Sequence, residues 1–176
     1  MSSAANIKYA WPVRAIHWLG AGLILLAYLT SELGEDIEEG ASAGVDWHVF
    51  AGLALLLLFV PRLLAKFAAS PLPIVPPPPR WSLLPGRLVT LALLLFVVVQ
   101  PVLGILTVWS EGHALPIPLT PWSLPPLIVL GEGAEDMLEE AHEILGTVFY
   151  AVIAMHAIAA LWHHFIRRDT TLRRML

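Results

Sequence analysis

Two histidines in one apolar segment, His142 and His156, are spaced so that both can do metal chemistry from a single helix. They lie fourteen positions apart, about 21 Å along a helix at 1.5 Å per residue. Fourteen steps of about 100° return nearly to the starting face, so both imidazoles look into one interior seam. That seam runs His142, Gly146, Phe149, Ile153, His156, Ala160, His163 at spacings of four and three, the stripe of a bundle helix. His17 and His48 each stand near the start of another apolar segment. All four are followed four positions later by a very small residue, namely Ala21, Gly52, Gly146 and Ala160. Position i+4 is the neighbour on the same helical face, where a flat macrocycle lying against the helix needs room. His113, His163 and His164 have Ile117, Arg167 and Arg168 at that offset and are not grouped with the four.

The elements that must position these residues follow from composition. The chain is 57% hydrophobic and 14% charged over 176 residues, with a mean hydropathy of +0.74, far from a soluble domain of this size. Apolar runs near the ~20 residues that cross hydrocarbon give helices at about 13–30, 47–67, 86–109 and 138–166. The expectation is an all-α fold, a four-helix transmembrane bundle forming a single membrane domain over 1–176. Lys8 and Arg14 before an apolar run resemble a signal peptide. No A-x-A-like site follows Tyr28, however, and cleavage would discard His17. Absence of cysteine excludes disulfides, iron–sulfur clusters and thioether-linked haem.

Charge sorting orients the bundle. Every Lys and Arg falls in the N-terminal segment, the stretch from Arg62 to Arg87, or the C-terminus. With four spans these all lie on one side, which the positive-inside rule makes cytoplasmic, together with both termini. Every Asp and Glu except Asp169 falls in the acidic outer loops, 31–46 and 110–137, or in the first turns of helix four. The inner linker 70–85 holds Pro76–Pro79 and is read as an extended, plain spacer. Helix three carries a kink signal at Gln100–Pro101 but no histidine, so its Gly104 stands outside the ligand chemistry.

Helix direction then sorts the histidines by depth. His17 pairs with His156 toward the inside, and His48 with His142 toward the outside. Facing neutral imidazoles across a bundle interior suit six-coordinate haem b, whereas zinc wants three or four ligands around one point. Two non-covalent haem b groups are expected, bound by His17, His48, His142 and His156, with Gly52 and Gly146 giving space. Arg14 stands one turn before His17, Arg62 continues the seam of His48 and Gly52, and His163 continues that of helix four. All three reach the inner end, where charge-assisted bonds to haem carboxylates or lipid headgroups are open to them.

These residues resemble the bacterial cytochrome b561 family of small four-helix dihaem proteins. The resemblance is carried by Tyr9-x4-Arg14-x2-His17-Trp18, by His48-x3-Gly52 with Arg62, and by His142-Glu143-x2-Gly146. It continues through His156-Ala157-x2-Ala160-Leu161-x-His163-His164 and Asp169-x2-Leu172-x-Arg174-Met175, covering nearly the whole chain. The resemblance implies an inner-membrane protein whose four histidines bind two b haems, electron exchange with a ubiquinone-type quinone, and superoxide:ubiquinone oxidoreductase activity. The expected function is one-electron transfer across the bilayer between an outer partner, cationic or small, and the quinone pool, with no nucleic-acid partner. Two alternatives stand beside it: the haem-b membrane anchor of a dehydrogenase, and a cofactor-free, histidine-lined proton or ion carrier.

Overall fold

The computed structural model describes residues 8–35, 42–69, 71–131 and 133–176. Four long helices dominate it: α1 (Trp11–Glu35), α2 (Ser42–Ala68), α3 (Arg80–Ser110) and α4 (Ala134–Trp162). Each contains a stretch long and apolar enough to cross a membrane, so the all-α, four-span expectation holds. Between α3 and α4, β1 (Leu115–Pro116) and β2 (Ser123–Leu124) form a minimal antiparallel hairpin. Asp36, Glu38, Glu39 and Glu132 of the acidic loops lie outside the described residues.

The helices run further than hydropathy marks them. Residues 31–35, three of them polar, continue α1, and α3 starts at Arg80, six residues before the expected point, running through Pro85. Pro85 is the sixth residue of α3, past the N–H groups that lack partners anyway, so it costs the helix one bond, to the Trp81 carbonyl, and the helix continues through it. Few of the described side chains are buried: Ala51, Leu55, Phe96, Val97 and Phe149 line the bundle interior. Large apolar residues instead face outward, Leu57 being 78% exposed, as expected when lipid is the solvent.

Packing is uneven, and the unevenness sets up the site. α1 packs along α2, α2 meets α3, and α3 packs along α4. Among the described residues no Cα of α1 or α2 comes within 8 Å of a Cα of α4. Helices in direct contact lie about 8–10 Å apart between axes. α4 therefore stands off from α1 and α2, and only side chains cross the gap.

At the inner end the chain closes on itself. α4 finishes in a π-helical turn (His163–Arg167), and Arg168 in the left-handed region (φ 55°) reverses the backbone. Residues 169–176 then run as a strap between the start of α1 and the inner linker. The Tyr9 N–H donates to the Arg174 carbonyl (3.0 Å), and the Thr170 N–H donates to the Val75 carbonyl (3.0 Å). The Val75 N–H donates to the Thr170 hydroxyl (3.0 Å), and Arg167 Nη2 reaches the Pro77 carbonyl (3.2 Å). Arg174 bonds the Leu72 carbonyl and stacks on Tyr9. The Pro-rich linker is non-helical from 71 to 79, with a bend at Val75–Pro76, and is no plain spacer: the strap pairs with its backbone. Asp169, 0% exposed, pins the strap by accepting from His163 Nδ1 (2.5 Å), the Thr171 N–H (2.9 Å) and Arg167 Nε (3.4 Å). Burial alone pushes this carboxyl up, but the bonds from His163 and Thr171 outweigh it and hold it below the usual aspartate value.

Candidate functional site

The four histidines meet in two pairs across the gap around α4. His17 of α1 faces His156 of α4 with ring centroids 6.4 Å apart and planes at 63°. His48 of α2 faces His142 of α4 at 6.0 Å and 70°. Two metal–imidazole bonds of about 2.0–2.1 Å plus the two ring radii span about 6.4 Å, so one ion between opposed rings fits either pair. Among the described residues no group of three or more His, Cys, Asp or Glu could hold a metal ion. An ion with only two protein ligands would take the rest from a bound group, and a macrocycle in the gap beside α4 would supply them.

Backbone carbonyls orient the outer pair. His48 Nδ1–H donates to the Ala27 carbonyl of α1 (2.9 Å), and His142 Nδ1–H donates to the Gln100 carbonyl of α3 (3.1 Å). A carbonyl only accepts, so both rings carry their proton on Nδ1 and turn the Nε2 lone pair toward the gap. Such bonds fix ring direction and raise ligand basicity at metal-binding histidines. A cavity of about 290 Å³ opens here, lined by His48, Gly52, Gln100, His142, Gly146 and Tyr150, among others. Tyr28 crosses the same gap, its hydroxyl donating to the Gly146 carbonyl (2.7 Å) and its ring packing on Tyr150 (4.2 Å).

The glycines at this level do more than clear space for a ligand. A Cβ on Gly52 would sit 3.8 Å from the Pro101 side chain, and one on Gly146 only 3.2 Å from Gln100 Nε2. Both line the cavity; Gly146 also lets α3 approach, whereas Gly52 leaves room for a methyl group. Gly104, expected to stand apart from the ligands, lies against the His142 ring, 3.2 Å separating its virtual Cβ from Cε1. Between the two histidine levels Phe96 and Phe149 stack at 4.1 Å, 12° from parallel, and fill the middle of the bundle.

At the inner level Arg62 reaches across to α1, its Nη1 3.1 Å from where a Cβ on Gly20 would be. Its charge is felt at both His17 and His156. Arg14 and His163, grouped with it by sequence as anion donors, are engaged elsewhere. Arg14 Nη1 bonds the Leu176 carbonyl, and His163 bonds Asp169. The reason is the strap, which brings its own acceptors to both. Trp18 links strap to site: its indole N–H donates to the Met175 carbonyl (2.8 Å) and its ring meets His17 edge-on at 5.3 Å.

Residues 8–176 match the family model described as prokaryotic cytochrome b561. The chain belongs to the prokaryotic cytochrome b561 family. It is 30% identical over 169 residues to cytochrome b561 homolog 1 of Escherichia coli K12, covering 92% of each chain. It is 29% identical over 175 residues to a Yersinia pestis protein named "Probable superoxide oxidase CybB", covering 96% of each. A third relative, cytochrome b562 of Cereibacter sphaeroides, is 29% identical over 172 residues, covering 92% of this chain and 90% of its own. Membership makes this a haem-b electron-transfer protein, multi-pass in the bacterial inner membrane. The donor set fits that cofactor: two pairs of imidazoles face each other across the gap, the outer pair oriented by backbone acceptors.

Sequence reasoning missed Ala27, Gln100, Gly104 and Gly20. Three act through backbone or through lack of a side chain, so their residue types carry no chemical signal. Only Gln100, a polar residue beside a proline inside an apolar span, could have been singled out.

Proposed function

We propose that this cytochrome binds two haems, one between His17 and His156 and one between His48 and His142, and moves single electrons across the membrane between a one-electron partner and the quinone pool. The observation that carries this reading is the presence of two facing histidine pairs, at 6.4 and 6.0 Å, bridging helices whose backbones otherwise stay apart. Haem, when bound, supplies a one-electron couple, and the protein sets its ligands, burial and spacing.

This chain's own residues account for the rest. Ala27 and Gln100 hold the outer imidazoles with Nε2 forward. Arg62 places a cation at the inner level, where an anionic group would gain a charge-assisted partner. The Phe96–Phe149 stack fills apolar space between the levels. Helical rise places the two levels about 21 Å apart on α4, so the pair bridges most of a ~30 Å hydrocarbon core. The name of the Yersinia relative supports superoxide as an electron donor. Charge argues against its entry from outside, since every carboxylate except Asp169 sorts to that end and the resulting field repels anions.

The test is the haem-to-chain ratio of purified protein, with a reduced-minus-oxidised visible spectrum before and after addition of a ubiquinol analogue. Two haems per chain, both reduced by the quinol, are expected. One haem, or two that quinol cannot reduce, would count against the proposal.

A further inference from the structure

We infer that α3, which contributes no ligand, is the positioning element of the outer site: Gln100 and Gly104 together form a socket that fixes the plane and tautomer of the His142 ring. The inference rests on the bis-histidine reading above. It goes beyond it by assigning the outer ligand's orientation to residues that do not touch iron.

Three contacts from one turn of α3 converge on His142. The Gln100 carbonyl accepts from Nδ1–H of the ring (3.1 Å). The Gln100 side-chain amide donates to the His142 backbone carbonyl (2.9 Å). Gly104, one turn on, faces the ring edge, with Cε1 only 3.2 Å from its virtual Cβ and Nδ1 3.5 Å. Ring and backbone of one residue are thus held by one partner, and the third contact sets how closely the ring may approach α3.

The local sequence explains why α3 can offer this. Pro101 packs toward Gly52, 3.8 Å from where a Cβ there would stand, inside a helix that runs on unbroken from Arg80 to Ser110. A carbonyl has two lone pairs, so Gln100 can accept from His142 whatever bond it keeps within the helix. Gly146 completes the fit, since a Cβ there would crowd Gln100 Nε2 at 3.2 Å. Gly146 and Gly104 are therefore two sides of one arrangement: the first admits the Gln100 amide, the second admits the imidazole that the amide's own residue orients. His156, the ligand two seam repeats away, has no such partner on α3 in the described structure, so the device is specific to the outer level.

A positioning role differs from plain packing in what it moves. The angle between two axial imidazole planes governs the low-spin ferric EPR signal, and bonding at Nδ1 tunes the potential. The experiment uses full-length protein with Gly104→Ala, whose methyl pushes the ring, and Gln100→Met, which keeps the length of the side chain and removes its amide. Haem content, EPR of the ferric protein and a redox titration are recorded for both. We expect the EPR signal and midpoint potential of the outer haem to shift in both variants, with the inner haem unchanged. Loss of the outer haem alone in Gly104→Ala also supports the socket, and Gln100→Met then reports the shift. Two retained haems with the outer signal and potential unchanged in Gln100→Met and Gly104→Ala would overturn it, as would equal shifts at both haems, which mean a general loosening of the bundle. Wild-type protein with fewer than two haems would instead overturn the bis-histidine reading, and the socket with it.

Discussion

Replacing Asp169 with Asn should open the inner strap while leaving the four spans in place. The wild-type carboxylate is 0% exposed and accepts from His163 Nδ1 at 2.5 Å and from the Thr171 N–H at 2.9 Å. The Arg167 contact, at 3.4 Å, is too long to weigh much. Asn keeps an acceptor for Thr171 but presents an N–H to His163 Nδ1, which must switch tautomer to accept it, so the charge-assisted bond is lost. A bond to a charged group contributes about 1.5–3 kcal/mol. At 1.4 kcal/mol per tenfold, the opened population of the strap rises roughly ten- to a hundredfold. Hydrogen exchange of protein in nanodiscs reads this directly at Tyr9, Val75 and Thr170, whose amides bond across the strap. Exchange there should accelerate by that factor, while the centres of α2 and α3 stay protected. The sign of the pH dependence follows from the depressed Asp169 value. Its stabilisation is complete above the ordinary aspartate pKa of about 3.9 and is lost as pH falls through the lower folded value. After correction for intrinsic exchange, wild-type protection should therefore fall only below about pH 4, and the Asn variant should show no such step. Unchanged exchange at all three amides would show that Asp169 does not hold the strap.

Three further outcomes are expected. Gly52→Leu and Gly146→Leu should each lower outer-haem content although each raises helix propensity by about 1 kcal/mol; full content with unchanged spectra in both would contradict the space argument. Gly146→Leu should be the more damaging, because its side chain meets Gln100 at once whereas Gly52 has room for a methyl group. In oriented vesicles, haem reduction by superoxide from the acidic face should speed up with added salt, as repulsion is screened over about 10 Å at 0.1 M. A basic electron-carrier protein should show the reverse; fast superoxide reduction from that face, slowed by salt, would mean a local positive funnel overrides the net field.

Much of this molecule can be read from the chain because lipid leaves few options. Apolar runs of spanning length must be helices, basic residues fix their direction, and direction alone sorts the histidines by depth. The facing of His17 with His156, and of His48 with His142, follows from that bookkeeping. What could not be read lies where backbone does the chemistry. The carbonyls of Ala27 and Gln100 have no residue type to announce them. Gly104 looks like any small residue of a membrane helix until α3 is seen against His142. The strap was equally hidden: Asp169 reads as a lone acid at a basic end, and the proline run reads as a spacer, because pairing between segments about 95 residues apart leaves no periodic trace. Arg14 and His163 find acceptors on that strap, which their spacing in the sequence does not announce.

The central claim is that one histidine from α1 or α2 and one from α4 form each of two haem sites. Single His→Ala variants at positions 17, 48, 142 and 156, each compared with wild type by haem content and reduced-minus-oxidised spectrum, test it most directly. His48→Ala and His142→Ala should abolish one and the same spectral component, His17→Ala and His156→Ala the other. If His17→Ala and His48→Ala removed the same component, or if any of the four left both haems in place with unchanged spectra, the assignment would be contradicted.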